Sequence, residues 1–241
     1  PFFSLSGKII GFSGRSLSEK EDVKYLNSPE TLLFEKSKIF YGSYQTLPNI
    51  RKQNFAILVE GQTDFLRLVE QGFDNVLATS GTAFSSKHAI ALKKYTNRVI
   101  LCYDSDNAGI NAAIRTSYVL LQHGIETRVL YLGNGDDPDD FFKKDSTTKE
   151  DFRTLIKTAA HPISFIIRHK DISGSLRLLR KEKNNAVFGV YKQHFNPYFN
   201  MMEIDKKGFL EMSKTIGERP VSRQLAPAVY QLNGFFTYNT K

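Results

Sequence analysis

Seven carboxylates in three short stretches carry the strongest chemical signal in the sequence. Glu60 closes the run FAILVEG, Asp104 and Asp106 close RVILCYDSD, and Asp136, Asp137, Asp139 and Asp140 stand in GDDPDD. The two-residue spacing of Asp104 and Asp106 at a strand end lets both side chains point to one side. Carboxylates gathered that closely repel one another, and some must take up protons unless cations neutralise them. Hard divalent ions with oxygen ligands, Mg²⁺ or Mn²⁺, answer that need, and a pair of them favours attack of an oxygen nucleophile on a phosphate. A single Asp after a strand is more often a helix N-cap or a turn residue, which suits Asp140 and one of Asp136 or Asp137. Three strand ends delivering acids to one edge outweigh that simpler reading.

The elements that deliver these acids are legible from residue 55 onward. FAILVEG is a nearly continuous apolar run ending on an acid and a glycine, the pattern of a buried parallel strand at its carboxyl end. TDFLRLVEQG follows with Phe65, Leu66 and Val69 at helical spacing and Gly72 as C-cap. NVLATSGT reads as a second strand and loop, and SSKHAIALKKYT as a helix capped by Ser85 or Ser86. RVILCYDSD is the third strand, AGINAAIRTSYVLLQHG a helix closed by Gly124, and TRVLYLG the fourth strand, leading into an acidic loop. This alternation over 55–142 predicts βαβ units, a parallel sheet and right-handed crossovers. Ligands bind outside the carboxyl ends of such strands, where the acids lie. Upstream, GKIIGF reads as a strand running into a turn at SGR, KYLNSPET as a polar stretch punctuated by Pro29, and LLFEKSKIFYG as an apolar return before Gly42. His88 and His123 read as exposed polar residues, and no Cys, His or Ser constellation suggests a protein nucleophile.

Composition sets wider limits. The 241 residues suffice for one large domain or two modest ones, and 41% hydrophobic with 24% charged residues is ordinary for a soluble globular protein. No apolar run approaches the length of about 18 residues that a membrane span needs, so no membrane partner is expected. The start, PFFSLSGKII, lacks a basic n-region, a cleavage site and an initiating Met, and reads as the inside of a longer chain. The lone Cys102 excludes an intramolecular disulfide and a Cys-rich site, so zinc is not expected, and it points to a reducing compartment. The net charge of +8 is compatible with a polyanionic partner. Residues 171–241, however, hold 11 Lys and Arg against 6 Asp and Glu, leaving +3 for residues 1–170.

VEGQTD, LATSGT, CYDSDNAG and GDDPDDF, in this order and spacing, resemble the Toprim domain of bacterial DnaG-type DNA primases. Type IA topoisomerases and OLD-family nucleases share the Glu and the Asp-x-Asp, whereas DSDNAGINAA and the Asp-Pro-Asp favour the primases. GKIIGFSGR and KYLNSPETLLFEKSKIFYG are similar to the middle of the primase catalytic core. The resemblance covers residues 1–168 and implies an α/β fold, with a Toprim-type parallel sheet flanked by helices. It divides the chain into part of the core's N-terminal subdomain (1–54), the Toprim domain (55–142) and a helical extension (143–170), where a polar KKDSTTKE link precedes a helix around HPISFIIRH. It implies Glu60, Asp104 and Asp106 as central, catalytic metal ligands, with Asp64, Asp137 and Asp139 completing the acidic cluster. Arg15, Lys24, Tyr25, Asn27 and Lys36 would then lie near template and incoming nucleotide, although a lysine such as Lys24 or Lys36 is more often simply solvated. The implied activity is template-directed RNA primer synthesis for DNA replication. The implied partners are a single-stranded DNA template, ribonucleoside triphosphates and, in full-length family members, a replicative helicase at the nucleoid or replisome. Those members carry a zinc-binding module and the first part of the core upstream, and a helicase-contacting domain downstream.

Residues 171–241 resemble something else, the later part of acylneuraminate cytidylyltransferases, the CMP-sialic acid synthetases, and read as a small α/β tail fragment. Arg223, Gln224, Tyr230, Asn233 and Gly234 fit that family's motif within SRQLAPAVYQLNG. An AVFGVY strand, a hairpin signal at Asp205–Gly208 and a closing aromatic strand accompany them. The family's nucleotide loop does not precede them, so the fragment is expected to be catalytically dead, and Arg223 and Tyr230 serve equally as surface and core residues. The alternatives to primer synthesis are therefore a sugar cytidylyltransferase fragment and a nucleic-acid-binding Toprim module without catalysis.

Overall fold

The sheet is assembled from the most apolar runs of the chain, and the computed structural model describes it within residues 1–16, 25–133, 135–162, 165 and 169. Its four strands, β5 (Ala56–Val59), β6 (Val76–Ala78), β7 (Arg98–Leu101) and β8 (Glu126–Val129), are all parallel and lie in the order β6-β5-β7-β8. Every residue of β5 is fully buried. Burying each of its larger side chains stabilises the fold by roughly 2 kcal/mol, so the strand carrying Glu60 is among the firmest parts of the molecule.

Five helices follow these strands or precede them: α1 (Ser43–Gln53), α2 (Gln62–Glu70), α3 (Ser86–Lys93), α4 (Asn107–Gln122) and, after β8, α5 (Pro138–Lys143). A sixth, α6 (Lys149–Lys157), begins inside the expected polar link, capped by Thr148, whose hydroxyl accepts the Asp151 N–H. On α2 the buried face is Phe65 and Leu68, while Leu66 and Val69 of the expected stripe are 54% and 40% exposed. Ser85 is the cap of α3, and Gly72 and Gly124 take up the left-handed backbone after α2 and α4 that other residues resist.

Two expectations need correction, and one helix stands in a stretch where the sequence signals no element. Residues 43–53 carry no helical signal because Pro48 sits among them, yet they form α1, with Ile50 and Leu47 buried and the Thr46 hydroxyl donating to the Val76 carbonyl at 2.8 Å. The helix can start where it does because Gly42 lies against Phe65, whose ring would be 2.0 Å from an added Cβ. KYLNSPET is not merely polar loop: β4 (Tyr25–Asn27) pairs antiparallel with β3 (Ser13–Arg15), while β1 (Phe2–Phe3) pairs with β2 (Ile9–Gly11). GDDPDD is not a loop throughout, since Pro138 starts α5 and the Asp137 carboxylate caps it.

Both edges of the parallel sheet are covered. Tyr41 exchanges two backbone hydrogen bonds with Ala78 on β6, and Ala160 exchanges two with Val129 on β8, so neither edge stands wholly open to pairing. Pro1–Ala160 form one compact unit, and His161–Lys241 form a second. In the second, Pro162, Phe165 and His169 are helical, as HPISFIIRH suggested. Lys24 and the tail residues Arg223, Gln224, Tyr230, Asn233 and Gly234 lie outside the described residues, as do the tail strands and hairpin.

Candidate active site

At the carboxyl end of β5 the chain passes into Glu60, whose Oε1 is buried without a hydrogen-bond partner. One turn later Asp64, only 3% exposed, folds back on the N-terminus of α2. Its Oδ2 accepts the Gly61 N–H at 3.1 Å and its Oδ1 the Asp139 N–H at 3.4 Å. Next door, the end of β7 turns sharply into α4. Asp106 caps that helix by accepting the Gly109 N–H at 2.7 Å, and Gly109 is required because an added Cβ would stand 2.1 Å from the Asp104 carbonyl oxygen. Ser105 ties this turn to the acidic segment: its N–H donates to the Asp136 carbonyl at 2.9 Å, and its hydroxyl accepts the Leu132 N–H at 3.2 Å. Asp137 accepts the Asp140 N–H at 2.6 Å as cap of α5.

The electrostatics follow from this crowding. Burial pushes the Glu60 carboxyl up to about 7, with further pressure from Asp104, Asp106 and Asp64. Burial, then Asp137 and Asp104, pushes Asp64 up to about 7 as well. Asp104 and Asp137 are raised in the same way, burial first and neighbouring carboxylates after it. Asp139 departs from this group. Burial works to raise its carboxyl, but hydrogen bonds from Lys143 and Arg67 outweigh it and hold the group below its usual value. Arg67 Nε lies 2.8 Å from Oδ1 and Lys143 Nζ 2.8 Å from Oδ2, so both oxygens already face cations. Lys144 pairs with Asp136, and Lys143 also meets Asp140 at 3.0 Å.

Oxygen donors alone, mutually repelling and with one buried oxygen left unpartnered, fit a hard divalent cation in chemical character. Among the described residues no group of three or more His, Cys, Asp or Glu side chains stands arranged to hold a metal ion, so the fit lies in donor type and charge alone.

Of the residues expected near a template, Tyr25 reaches the first turn of α2. Arg15 lies over the Tyr25 ring at 5.6 Å, and the Tyr25 hydroxyl is 3.4 Å from the Thr63 hydroxyl, next to Asp64 in sequence. Asn27 donates to the Ser80 carbonyl at 3.1 Å, while its own Oδ1 and the Ser80 hydroxyl are buried without partners. Lys36 lines a small cavity together with Asn27, Thr79, Ser80 and Thr82. His88, expected to be exposed, is fully buried on α3: its Nδ1 accepts the Ser85 N–H at 3.2 Å, and its Nε2 lies 2.8 Å from the Lys36 carbonyl. Nδ1 as acceptor leaves Nε2 as the donor to that carbonyl. His123 is half-buried, its Nδ1 2.8 Å from the Val119 carbonyl. The lone apolar-helix histidine gave no sequence signal for His88, because the turn it grips is remote in the chain.

Comparison with known proteins adds an independent line. Residues 57–142 match the Toprim-like family model, and residues 1–47 match the model of the DNA primase catalytic core, N-terminal domain. The chain is 40% identical over 162 residues to the DNA primase of Aquifex aeolicus, covering 67% of this chain and 32% of that protein. This chain carries a Toprim core of the bacterial DnaG primase type over residues 57–142. The primase core is also 37% identical over 224 residues to the DNA primase of Campylobacter jejuni, covering 89% of this chain and 36% of the relative. It is similar in fold to a solved DnaG primase catalytic domain bound to single-stranded DNA, with a TM-score of 0.63, 29% identity, and 90% of this chain and 68% of the other covered. The chain thus spans about a third of the length of the curated relatives it matches. The Campylobacter match necessarily enters residues 171–241, and none of these findings favours the cytidylyltransferase reading of the tail. The acids Glu60, Asp64, Asp104, Asp106, Asp137 and Asp139 all fall in the Toprim-like match, and Arg15, Tyr25, Asn27 and Lys36 in the upstream one. Among the described residues no helix is long and apolar enough to cross a membrane.

Proposed function

We propose that this chain supplies the catalytic core for template-directed synthesis of short RNA primers by metal-dependent nucleotidyl transfer. The observation that carries the reading is the convergence of uncompensated carboxylates at the strand ends, with Glu60 and Asp64 both held near 7 and one Glu60 oxygen buried without a partner. Glu60, Asp104 and Asp106 are the central ligands for Mg²⁺ or Mn²⁺, supported by Asp64 and Asp137. When bound, such ions neutralise the acids and the charge developing on phosphate, and favour attack of a ribonucleotide 3′-oxygen with pyrophosphate as leaving group.

The chain's own residues then bind and orient. Arg15 and Lys36 neutralise phosphates of template or incoming nucleotide, the Tyr25 ring offers a stacking face, and Asn27 presents an unpartnered acceptor. Lys24 belongs with them by its place in the motif. Single-stranded DNA as partner is supported by the similar DnaG domain bound to it; ribonucleoside triphosphates and a helicase follow from the primase reading.

The test is titration of the 241-residue chain with Mn²⁺, wild type against Asp104→Ala/Asp106→Ala, followed by template-dependent dinucleotide synthesis. The double variant is expected to lose about a hundredfold or more in Mn²⁺ affinity, since ligand loss exceeds the 10- to 100-fold typical of supporting residues. Equal affinity removes the site. Mn²⁺ and single-stranded DNA binding without product leaves a binding module in place of a polymerase.

A further inference from the structure

Arg67 sits on α2 three residues after Asp64 and reaches across to α5, where it meets an acid that the other carboxylates do not share. Its Nε donates to Asp139 Oδ1 at 2.8 Å, and its NH1 holds Glu70 at 2.6 Å, so the guanidinium is bridged between two acids. Lys143, one turn along α5, takes the other Asp139 oxygen at 2.8 Å. Asp139 is 17% exposed and Arg67 29%, so this pair is sheltered in a way that fully solvated surface pairs are not. A guanidinium on one oxygen and an ammonium on the other occupy the directions a divalent ion would use.

The same residue acts on the acids through its backbone. α5 begins at Pro138, which has no N–H to offer, and the Asp139 N–H is one of the first-turn donors that have no partner within a helix. That N–H points to Asp64 Oδ1 at 3.4 Å. Asp139 therefore turns its side chain to cations and its main chain to the acid cluster, and Arg67 grips the side chain from the helix that carries Asp64.

We propose that Arg67 is a positioning residue: its ion pair with Asp139, closed by Lys143, withdraws Asp139 from cation binding and anchors α5 so that the Asp139 N–H and the Asp137 cap stand beside Asp64. The cation set is then Glu60, Asp64, Asp104, Asp106 and Asp137. This rests on the metal-binding reading above for its consequence, but the clamp itself can be read without metal.

Mn²⁺ titration of the full chain separates this from the direct alternative, in which Asp139 is a ligand and Arg67 competes for it. With a positioning role, Arg67→Met and Asp139→Ala each weaken Mn²⁺ binding by about tenfold, the double variant is no weaker than either single one, and Arg67→Lys restores most of the affinity. Unchanged or tighter binding in Arg67→Met overturns the proposal, as does a double variant whose losses add. Melting in EDTA provides the second readout. Arg67→Met and Asp139→Ala lower the midpoint by similar amounts, and the double variant lowers it no further; additive drops overturn the clamp. If Asp104→Ala/Asp106→Ala leaves Mn²⁺ affinity unchanged, the metal reading fails by itself, and the EDTA melts still decide whether the clamp exists.

Discussion

Glu60 and Glu35 are the same side chain held in opposite circumstances. Glu35 stands beside the 3₁₀ turn Lys36–Lys38, where Lys38 and Lys87 each approach within 2.5 Å, and hydrogen bonds from those two lysines draw its carboxyl down to about 2. Glu60 stands at the end of a fully buried strand among three other acids and is pushed up to about 7. The sequence contains more lysines and arginines than acids, so cations are not scarce. Among the described residues the fold pairs them with acids such as Glu35 and Asp139, and no ion pair forms at Glu60, Asp64, Asp104 or Asp106. Asp139 marks the border between the regimes: it lies in the acidic segment, yet Arg67 and Lys143 give it the treatment that Glu35 receives. Charge left uncompensated at a strand end is a cost to folding that a bound cation repays, and this separates a binding site from a surface of ion pairs.

The largest effect expected from this difference is a pH dependence of opposite sign for the two glutamates. Glu60 and Asp64 have folded values near 7 against ordinary values of 4.5 and 3.8. The folded protein therefore holds protons that the unfolded chain has released between about pH 4 and pH 7, and stability must fall as pH rises through that window. In EDTA the loss is expected on the order of 3 kcal/mol, completed by about pH 8, because the two coupled groups do not contribute their full separate shifts. His88, depressed by burial, works in the opposite sense below about pH 6.5, so the difference between wild type and Glu60→Gln isolates the carboxylate. Denaturant melts at several pH values measure it, and saturating Mg²⁺ should abolish the decline. A wild-type curve parallel to that of Glu60→Gln would erase the distinction between the two glutamates.

A smaller effect tests how closely the backbone supports the acid end. An added Cβ at Gly109 would lie 2.1 Å from the Asp104 carbonyl oxygen, which is backbone and cannot swing away. Gly109→Ala must push the start of α4 off the strand end and loosen the Asp106 cap, at about 2 kcal/mol of stability. At Gly61 the atom in the way is Asp64 Oδ2, 2.6 Å off but at the tip of a side chain. Gly61→Ala should therefore cost less, with its effect concentrated on Mn²⁺ affinity. Urea unfolding of both variants decides the order, and equal losses would mean that the turn at Asp104 is not the tighter of the two.

These two regions also differ in how much of them the chain discloses in one dimension. The strands that end in Glu60 and Asp104 are continuous apolar runs, and the order of four strands and their helices could be read directly because burial on both faces leaves no polar alternation to confuse with a loop. The acids were legible for the same reason, as charges abruptly following apolar runs. What was not legible depends on partners far away. α1 is hidden by Pro48 and is held by Thr46 reaching the Val76 carbonyl thirty residues on. β4 has only three residues and exists because β3 pairs with it. The burial of His88 depends on the Lys36 carbonyl fifty-two residues away, and the withdrawal of Asp139 on Arg67 seventy-two residues away. Spacing within a motif locates carboxylates, but it does not reveal which of them a distant arginine has already taken.

The smallest effect is expected at Glu35. Its two lysines are 56% and 57% exposed, so Glu35→Gln removes ion pairs that water and salt already weaken. The midpoint of thermal unfolding should drop by no more than about 2 °C, and the drop should shrink further in high salt. The sign with pH also differs from that at Glu60. A carboxyl lowered in the folded state favours folding above its unfolded value and loses that contribution only as pH falls towards about 2, so between pH 5 and pH 8 the variant and wild type should run parallel. Lys87 adds a structural thread to this prediction: it is on α3, one residue before His88, so Lys87 and His88 grip the same turn from one helix, the first through charge on Glu35 and the second through a buried hydrogen bond. Because the buried bond is the costlier one to lose, Glu35→Gln should leave the turn in place, with proteolysis of the 35–38 segment no faster than in wild type. A large drop in the midpoint, or rapid cleavage there, would mean that the paired acid carries structural weight comparable to the unpaired one, and that the separation between a neutralised surface and an unneutralised site is less sharp than the geometry at the two glutamates implies.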